Sequence, residues 1–190
     1  MKTLACLGDS NTFGFDPTSL WGGPYPEGIP WPDRLAAAGY TVHNLGQNGL
    51  GVSRDLLHPV FVREIRSLGR IDLLTVMLGS NDLLLGLSAE ETSAHMKKLL
   101  SLLQAEKAAD KILLLAPVPF RRGVWVSDDH LIRSSRLLSE QYGTLAEALR
   151  TGFADTGGWD IPLACDGVHF TEGGHRRFAE ALLPLLSGSV

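Results

Sequence analysis

The chain has 190 residues, 44% of them hydrophobic and 20% charged, with a formal net charge of −4. These values suit one domain over residues 1–190, large enough for a real core, and the lack of a basic block argues against a nucleic-acid partner. No apolar run approaches the roughly 20 residues of a membrane helix. Gly8-Asp9-Ser10 also cuts the first apolar run too early for a signal peptide, so a cytoplasmic protein is expected.

Short apolar runs alternate with amphipathic stretches, the pattern of parallel strands joined by crossover helices. Leu4 to Leu7 reads as a buried first strand that stops at Gly8. Ser10 follows its carboxyl end, where parallel α/β sheets place their chemistry. A helix starting there would aim backbone N–H groups outward and favour negative charge. Gly, Asp and Ser also make ordinary turns, so this tripeptide alone decides nothing. The loop from Phe13 to Trp31 holds Pro17, Trp21, Pro24, Tyr25, Pro26 and Pro30. It would either wall a substrate pocket or form a rigid surface loop. Pro32 opens a helix that Gly39 ends. Thr41 to Leu45 is a second strand, running into Gly46-Gln47-Asn48-Gly49, where glycine lets a backbone amide approach a ligand. A helix is expected from about Asp55 to Leu68.

Ile71 to Leu78 is almost unbroken in its apolar character, as a sheet covered on both faces requires. It ends in Gly79-Ser80-Asn81-Asp82, where Asn81 offers an amide donor. Ser88 with Glu91 forms a capping box for a helix to about Ala105, with Thr92, Met96, Leu99 and Leu103 facing the core. Lys111 to Ala116 is the fourth strand, and the loop after it carries Arg121, Arg122 and Trp125. The arginines would either meet an acidic substrate or form a solvated pair. A helix follows from about Ile132 to Arg150, and Trp159 to Cys165 reads as a short fifth strand. Thr171 caps the last helix, which places Phe178, Leu182 and Leu186 on one face. Cys6 and Cys165 fall in strand-like segments and read as free buried thiols. His43, His58, His95 and His130 have no metal-ligand spacing, and His175 is expected on the surface of the last helix.

Ser10, Gly49 and Asn81 thus stand at three strand ends, and Asp166 with His169 at a fourth. In a parallel sheet such ends share one edge. Acyl transfer needs that set. A serine hydroxyl is a poor nucleophile until a base takes its proton, histidine suits that task, and a carboxylate orients the imidazole and stabilises its charged form. The Ser10 amide, the Gly49 amide and the Asn81 side chain would supply three donors to an oxyanion.

Gly8-Asp9-Ser10, the glycine turn after Asn44, Gly79-Ser80-Asn81-Asp82 and Asp166-Gly167-Val168-His169 resemble, in order, the four sequence blocks of the SGNH hydrolases, also called GDSL esterases and lipases. The resemblance spans nearly the whole chain. Gly8-Asp9-Ser10-Asn11-Thr12 and the Trp/Pro-rich loop look most like the arylesterase-like branch. The resemblance implies a three-layer α/β/α sandwich around a five-stranded parallel sheet, flavodoxin-like, and a serine esterase with neither metal nor cofactor. By position Ser10 looks like the nucleophile, His169 the base and Asp166 its orienter. Gly49 and Asn81 look like oxyanion donors, with Gly46 the alternative to Gly49. Asn11 stands where the family usually carries an apolar residue, and a polar side chain there would reshape the acyl pocket. Asp9 would brace the loop through backbone hydrogen bonds.

The expected activity is hydrolysis of short-chain carboxylic esters (aryl, alkyl or carbohydrate O-acetyl) through an acyl-enzyme on Ser10. The expected partner is a small-molecule ester, and exposed loop tryptophans would suit a homo-oligomer contact. The alternative is a non-catalytic flavodoxin-like binder of a small molecule or carbohydrate, since fold alone does not settle function. That reading gives no reason for Asp166 and His169, and no phosphate-cradling glycine-lysine loop is present.

Overall fold

The structure is a computed structural model, and it describes residues 1–187. In chain order the elements are β1 (Thr3–Gly8), α1 (Ser10–Phe13), α2 (Trp31–Ala37), β2 (Thr41–Gly46), α3 (His58–Ser67), β3 (Leu73–Met77), α4 (Ser80–Leu84), α5 (Ala89–Ala105), β4 (Lys111–Leu115), α6 (Asp129–Leu149), β5 (Gly152–Ala154) and α7 (Glu172–Ser187). A single 3-10 turn, Asp55–Leu57, leads into α3, and another, Thr156–Gly158, follows β5.

Alternation along the strands builds the layers, because successive side chains point to opposite faces. β1 sends Ala5 and Leu7 to one face, and Leu4 and Cys6 to the other. Leu74, Val76, Ile112 and Leu114 join the first face, and Leu73, Met77, Leu113 and Leu115 the second. Both sides are buried, so these strands read as continuous apolar runs with no period of two. α3, α5 and α6 cover the first face through Phe61, Ile65, Met96, Leu99, Leu138 and Tyr142. α2 and α7 cover the second through Trp31, Leu35, Phe178 and Leu182. Fully burying one such side chain is worth about 1.5–3 kcal/mol, so packing rather than helix propensity fixes these helices.

The sheet is parallel throughout, in the order β2-β1-β3-β4-β5. This is the α/β/α, flavodoxin-like arrangement expected from the sequence. The chain leaves β1 for one neighbour, then crosses to the other, which makes the carboxyl end of β1 a topological switch point. Gly8 of β1 is in register with Gly46 of β2 and Met77 of β3. The loops after these three strands therefore begin level with one another. Among the described residues no helix is long and apolar enough to cross a membrane.

Three expectations are corrected. The fifth strand is Gly152–Ala154, not Trp159 to Cys165. Pro162 interrupts the latter run, and all that remains of pairing there is an isolated antiparallel bridge between Leu163 and Phe170. Cys165 is consequently exposed, whereas Cys6 is buried and its thiol is pushed up to about 12 by burial. His175 is fully buried, not on the surface. It falls on the same helical stripe as Phe178, Ala179 and Leu182, so α7 carries it inward. The capping box at Ser88 and Glu91 is present with both of its hydrogen bonds, and Thr171 Oγ1 accepts from the Gly174 amide at 3.0 Å in the first turn of α7.

Candidate active site

β1 stops at Gly8, and Asp9 caps the short α1 by accepting the Asn11 amide at 3.0 Å. Ser10 is therefore the first residue of α1, at the switch point. Its hydroxyl donates to His169 Nε2 at 2.9 Å. His169 Nδ1 donates to Asp166 Oδ2 at 2.8 Å. Oδ1 of the same carboxylate accepts the Val168 and His169 amides, at 2.8 and 2.9 Å. One carboxylate thus holds both the ring and the backbone that carries it. It also fixes the tautomer in which Nε2 is free to accept a proton. Burial pushes the Asp166 carboxyl up, but the His169 ring and the His169 and Val168 amides outweigh it and leave it below the usual carboxylate range. All three side chains are nearly buried.

The Asp166–His169 segment is the tip of a hairpin-like loop between β5 and α7, rather than a strand end as expected from the sequence. The Gly167 amide closes a turn onto Ala164 O, and the Ala164 amide donates to His169 O at 2.7 Å. Asp9 is 2% exposed. Burial raises its carboxyl to about 6, against the Asn11 amide, His169 and the Ser80 hydroxyl, which favour the charged form. Its hydrogen bond to the Asn11 amide is the bracing role expected for it.

Gly49 lies in the exposed turn after β2, with φ at +70°. Asn81 occupies the first turn of α4 and donates its amide to Leu50 O at 3.0 Å, which ties the Gly49 turn to α4. The second N–H of that amide remains for another acceptor. Among the described residues the Ser10 and Gly49 amides donate to no protein acceptor, whereas the Gly46 amide is taken by Asn44 Oδ1 at 2.9 Å. Of the two glycines the sequence offers as donors, only Gly49 has an N–H to give.

Asp82, which in the sequence reads only as part of a turn, grips the same loop. Its carboxylate accepts the Val52 amide on Oδ2 and the Ser53 amide on Oδ1, both at 2.8 Å, and the residue is fully buried. Gly51 is required beside it, because a Cβ there would sit 2.7 Å from Asp82 Oδ1. Gly79 precedes α4 with φ at +127°, and a Cβ there would lie 2.8 Å from the Tyr142 hydroxyl. The signal for Asp82 was its place, an acid in the turn directly after an apolar strand.

Asn11 does not line an acyl pocket. It is 6% exposed, and both polar atoms of its side chain bond to the backbone around His169. The walls of the site come from the two long loops. The Phe15 ring is tilted against the imidazole at 4.6 Å, and Trp125 meets it edge-on at 5.0 Å. Of the other tryptophans in the chain, Trp21 points to solvent, while Trp31 and Trp159 pack on Phe178. Arg121 and Arg122 pair with Asp160 and Asp129 at the surface, the solvated reading of the two given by the sequence.

The model of the GDSL-like lipase/acylhydrolase family matches residues 6–177. No curated protein matches the sequence. Among solved structures, a proposed arylesterase from Agrobacterium tumefaciens str. C58 is 27% identical, with all of both chains covered and a TM-score of 0.83. A carbohydrate acetylesterase family member from Sinorhizobium meliloti is 25% identical over 98% of this chain and 97% of that one, with a TM-score of 0.82. The native aryl esterase of M. smegmatis, 21% identical with both chains fully covered and a TM-score of 0.85, shares the fold.

Proposed function

Because this chain belongs to the GDSL-like lipase/acylhydrolase family and is a carboxylic ester hydrolase, we propose that it cleaves short-chain esters through an acyl-enzyme on Ser10. The observation that carries this reading is the continuous path from Asp166 Oδ2 through His169 to Ser10 Oγ, with contacts of 2.8 and 2.9 Å.

Ser10 Oγ attacks the ester carbonyl carbon while His169 Nε2 takes its proton. The carbonyl π pair moves onto oxygen, and the Ser10 and Gly49 amides with the free N–H of Asn81 receive that charge. Each such donor is worth about 2.7–4 kcal/mol in the transition state. Asp166 stabilises the imidazolium and keeps the ring in place. Collapse breaks the ester C–O bond, and the leaving oxygen takes the proton from Nε2. Water then attacks the acyl-enzyme with Nε2 as base, and the second collapse returns Ser10 Oγ as the free hydroxyl and releases the acid.

Ser10 is only 7% exposed, and aromatic rings close over the imidazole from both loops. That favours a small acyl group, acetyl-sized, carried by a flat aryl alcohol or a sugar hydroxyl. The named activities of the similar structures, on aryl esters and on carbohydrate acetates, point the same way. The test is hydrolysis of p-nitrophenyl acetate by the wild type and by Ser10→Ala. Turnover is expected to fall by at least about a thousandfold in the variant; undiminished turnover overturns the assignment.

A further inference from the structure

The residue after the proposed nucleophile is a buried asparagine, and the structure gives its polar side chain a job. Asn11 Nδ2 donates to Val168 O at 3.1 Å, and Asn11 Oδ1 accepts the Phe170 amide at 2.9 Å. The two bonds fall on either side of His169, across a sequence separation of 157 and 159 residues. We propose that Asn11 is a positioning residue for the base: its side chain acts as a peptide mimic that clamps the backbone on both sides of His169 to the segment carrying Ser10. The proposal rests on the triad reading above.

The local hydrogen bonding supports this role. The His169 amide is held by Asp166 Oδ1, and its carbonyl accepts the Ala164 amide. Val168 N–H also goes to Asp166 Oδ1. The other two groups of the peptide bonds flanking His169, Val168 O and Phe170 N–H, are the ones Asn11 takes. All five are thus paired, as buried backbone groups must be. An apolar residue at position 11 would leave two of them without a partner. Ser10 and Asn11 are consecutive, so the serine that meets the ring and the amide that meets the ring's backbone are set by one short stretch of chain. Any drift of the 168–170 segment would change the 2.9 Å Oγ–Nε2 contact directly, and proton transfer depends steeply on such alignment.

Asn11 touches neither substrate nor imidazole, so its effect has to appear in kcat. The experiment uses Asn11→Leu, which keeps the number and branching of side-chain heavy atoms and loses both bonds, and Asn11→Asp, which keeps the acceptor for Phe170 N–H and loses the donor to Val168 O. Each is assayed with p-nitrophenyl acetate at 25 °C, beside Ser10→Ala. The concentration of competent sites is measured by labelling to completion with a fluorophosphonate and counting the mass shift. Per labelled site, kcat is expected to fall about a hundredfold for Asn11→Leu and about tenfold for Asn11→Asp, with KM within about twofold of wild type. Wild-type kcat per labelled site in both variants, even with a lower melting temperature, would reduce Asn11 to a structural residue and overturn the proposal. A full loss of turnover in Ser10→Ala beside that result would leave the triad reading standing. Retained turnover in Ser10→Ala would instead sink the triad reading and this proposal with it.

Discussion

Replacing Asp82 with asparagine tests how the turn that carries Gly49, the proposed oxyanion donor, is held. The carboxylate accepts the Val52 and Ser53 amides, one on each oxygen, with no exposure to solvent. An asparagine can accept only one of them and turns an NH₂ toward the other. The loss is one charge-assisted hydrogen bond, typically about 1.5–3 kcal/mol, together with a buried amide left facing a donor. We take about 3 kcal/mol for the sum, which lowers the melting temperature by about 10 °C in a chain of this size. The Val52–Ser53 segment is continuous with Gly49, and Asn81, next to Asp82, holds Leu50 O. Loosening the segment should therefore misplace the Gly49 amide without removing it. A kcat about tenfold lower is expected, against the hundredfold or more that follows loss of a whole donor. Urea unfolding gives the stability, and p-nitrophenyl acetate turnover well below the midpoint gives kcat. Gly51→Ala should act in the same direction, since its Cβ would press on the same carboxylate oxygen at 2.7 Å. Wild-type stability and kcat in Asp82→Asn would refute this account of the turn. A stability loss with kcat unchanged would separate the turn from catalysis.

Two further outcomes follow from the geometry. His175 is fully buried, with Nδ1 accepting the Trp31 amide at 3.3 Å, and burial, then the charges of Arg34 and His169, hold its imidazole down to about 3. The unfolded chain binds that proton near 6.5, so this group costs stability as pH falls: about 3 kcal/mol between pH 7.5 and 4.5. His175→Asn keeps an acceptor for Trp31 and cannot charge; by denaturant titration it should lose about 3 kcal/mol less over that window, and parallel pH slopes would contradict this. Trp125 is 54% exposed and edge-on to His169, so Trp125→Ala should open the site with little change in melting temperature. The ratio of kcat/KM for p-nitrophenyl butyrate over the acetate is expected to rise about tenfold; an unchanged ratio would remove Trp125 as a wall.

The parts of this molecule legible in the sequence were those written locally. β1, β3 and β4 are apolar runs ended by glycine or proline, β2 is a more polar edge strand that runs into Gly46, and polar residues follow at the one edge where a doubly covered sheet leaves room for chemistry. The pairing of Asp166 with His169 is also local, since three residues span it. What failed was long-range or short. β5 is three residues long and starts two positions after Arg150, whose φ of +55° ends α6, so no periodicity could mark it. The clamp by Asn11 joins residues 157 apart, and nothing in either segment announces the partner. Because its side chain is polar, it suggested a pocket wall, when the polarity serves backbone groups that only the folded loop brings near. His175 was readable in principle, for it lies on the stripe of Phe178 and Leu182; its polarity argued for the surface, and the packing of α2 against α7 overrode it.

The most direct measurement is the site of covalent trapping. The enzyme is treated with a fluorophosphonate, digested, and the modified peptide is identified by mass spectrometry, in the wild type and in His169→Ala. The expected result is one adduct per chain, on Ser10, forming about a thousandfold more slowly without the imidazole. An adduct on another residue, or full ester turnover by a protein in which Ser10 stays unmodified, would contradict the assignment of Ser10 as nucleophile.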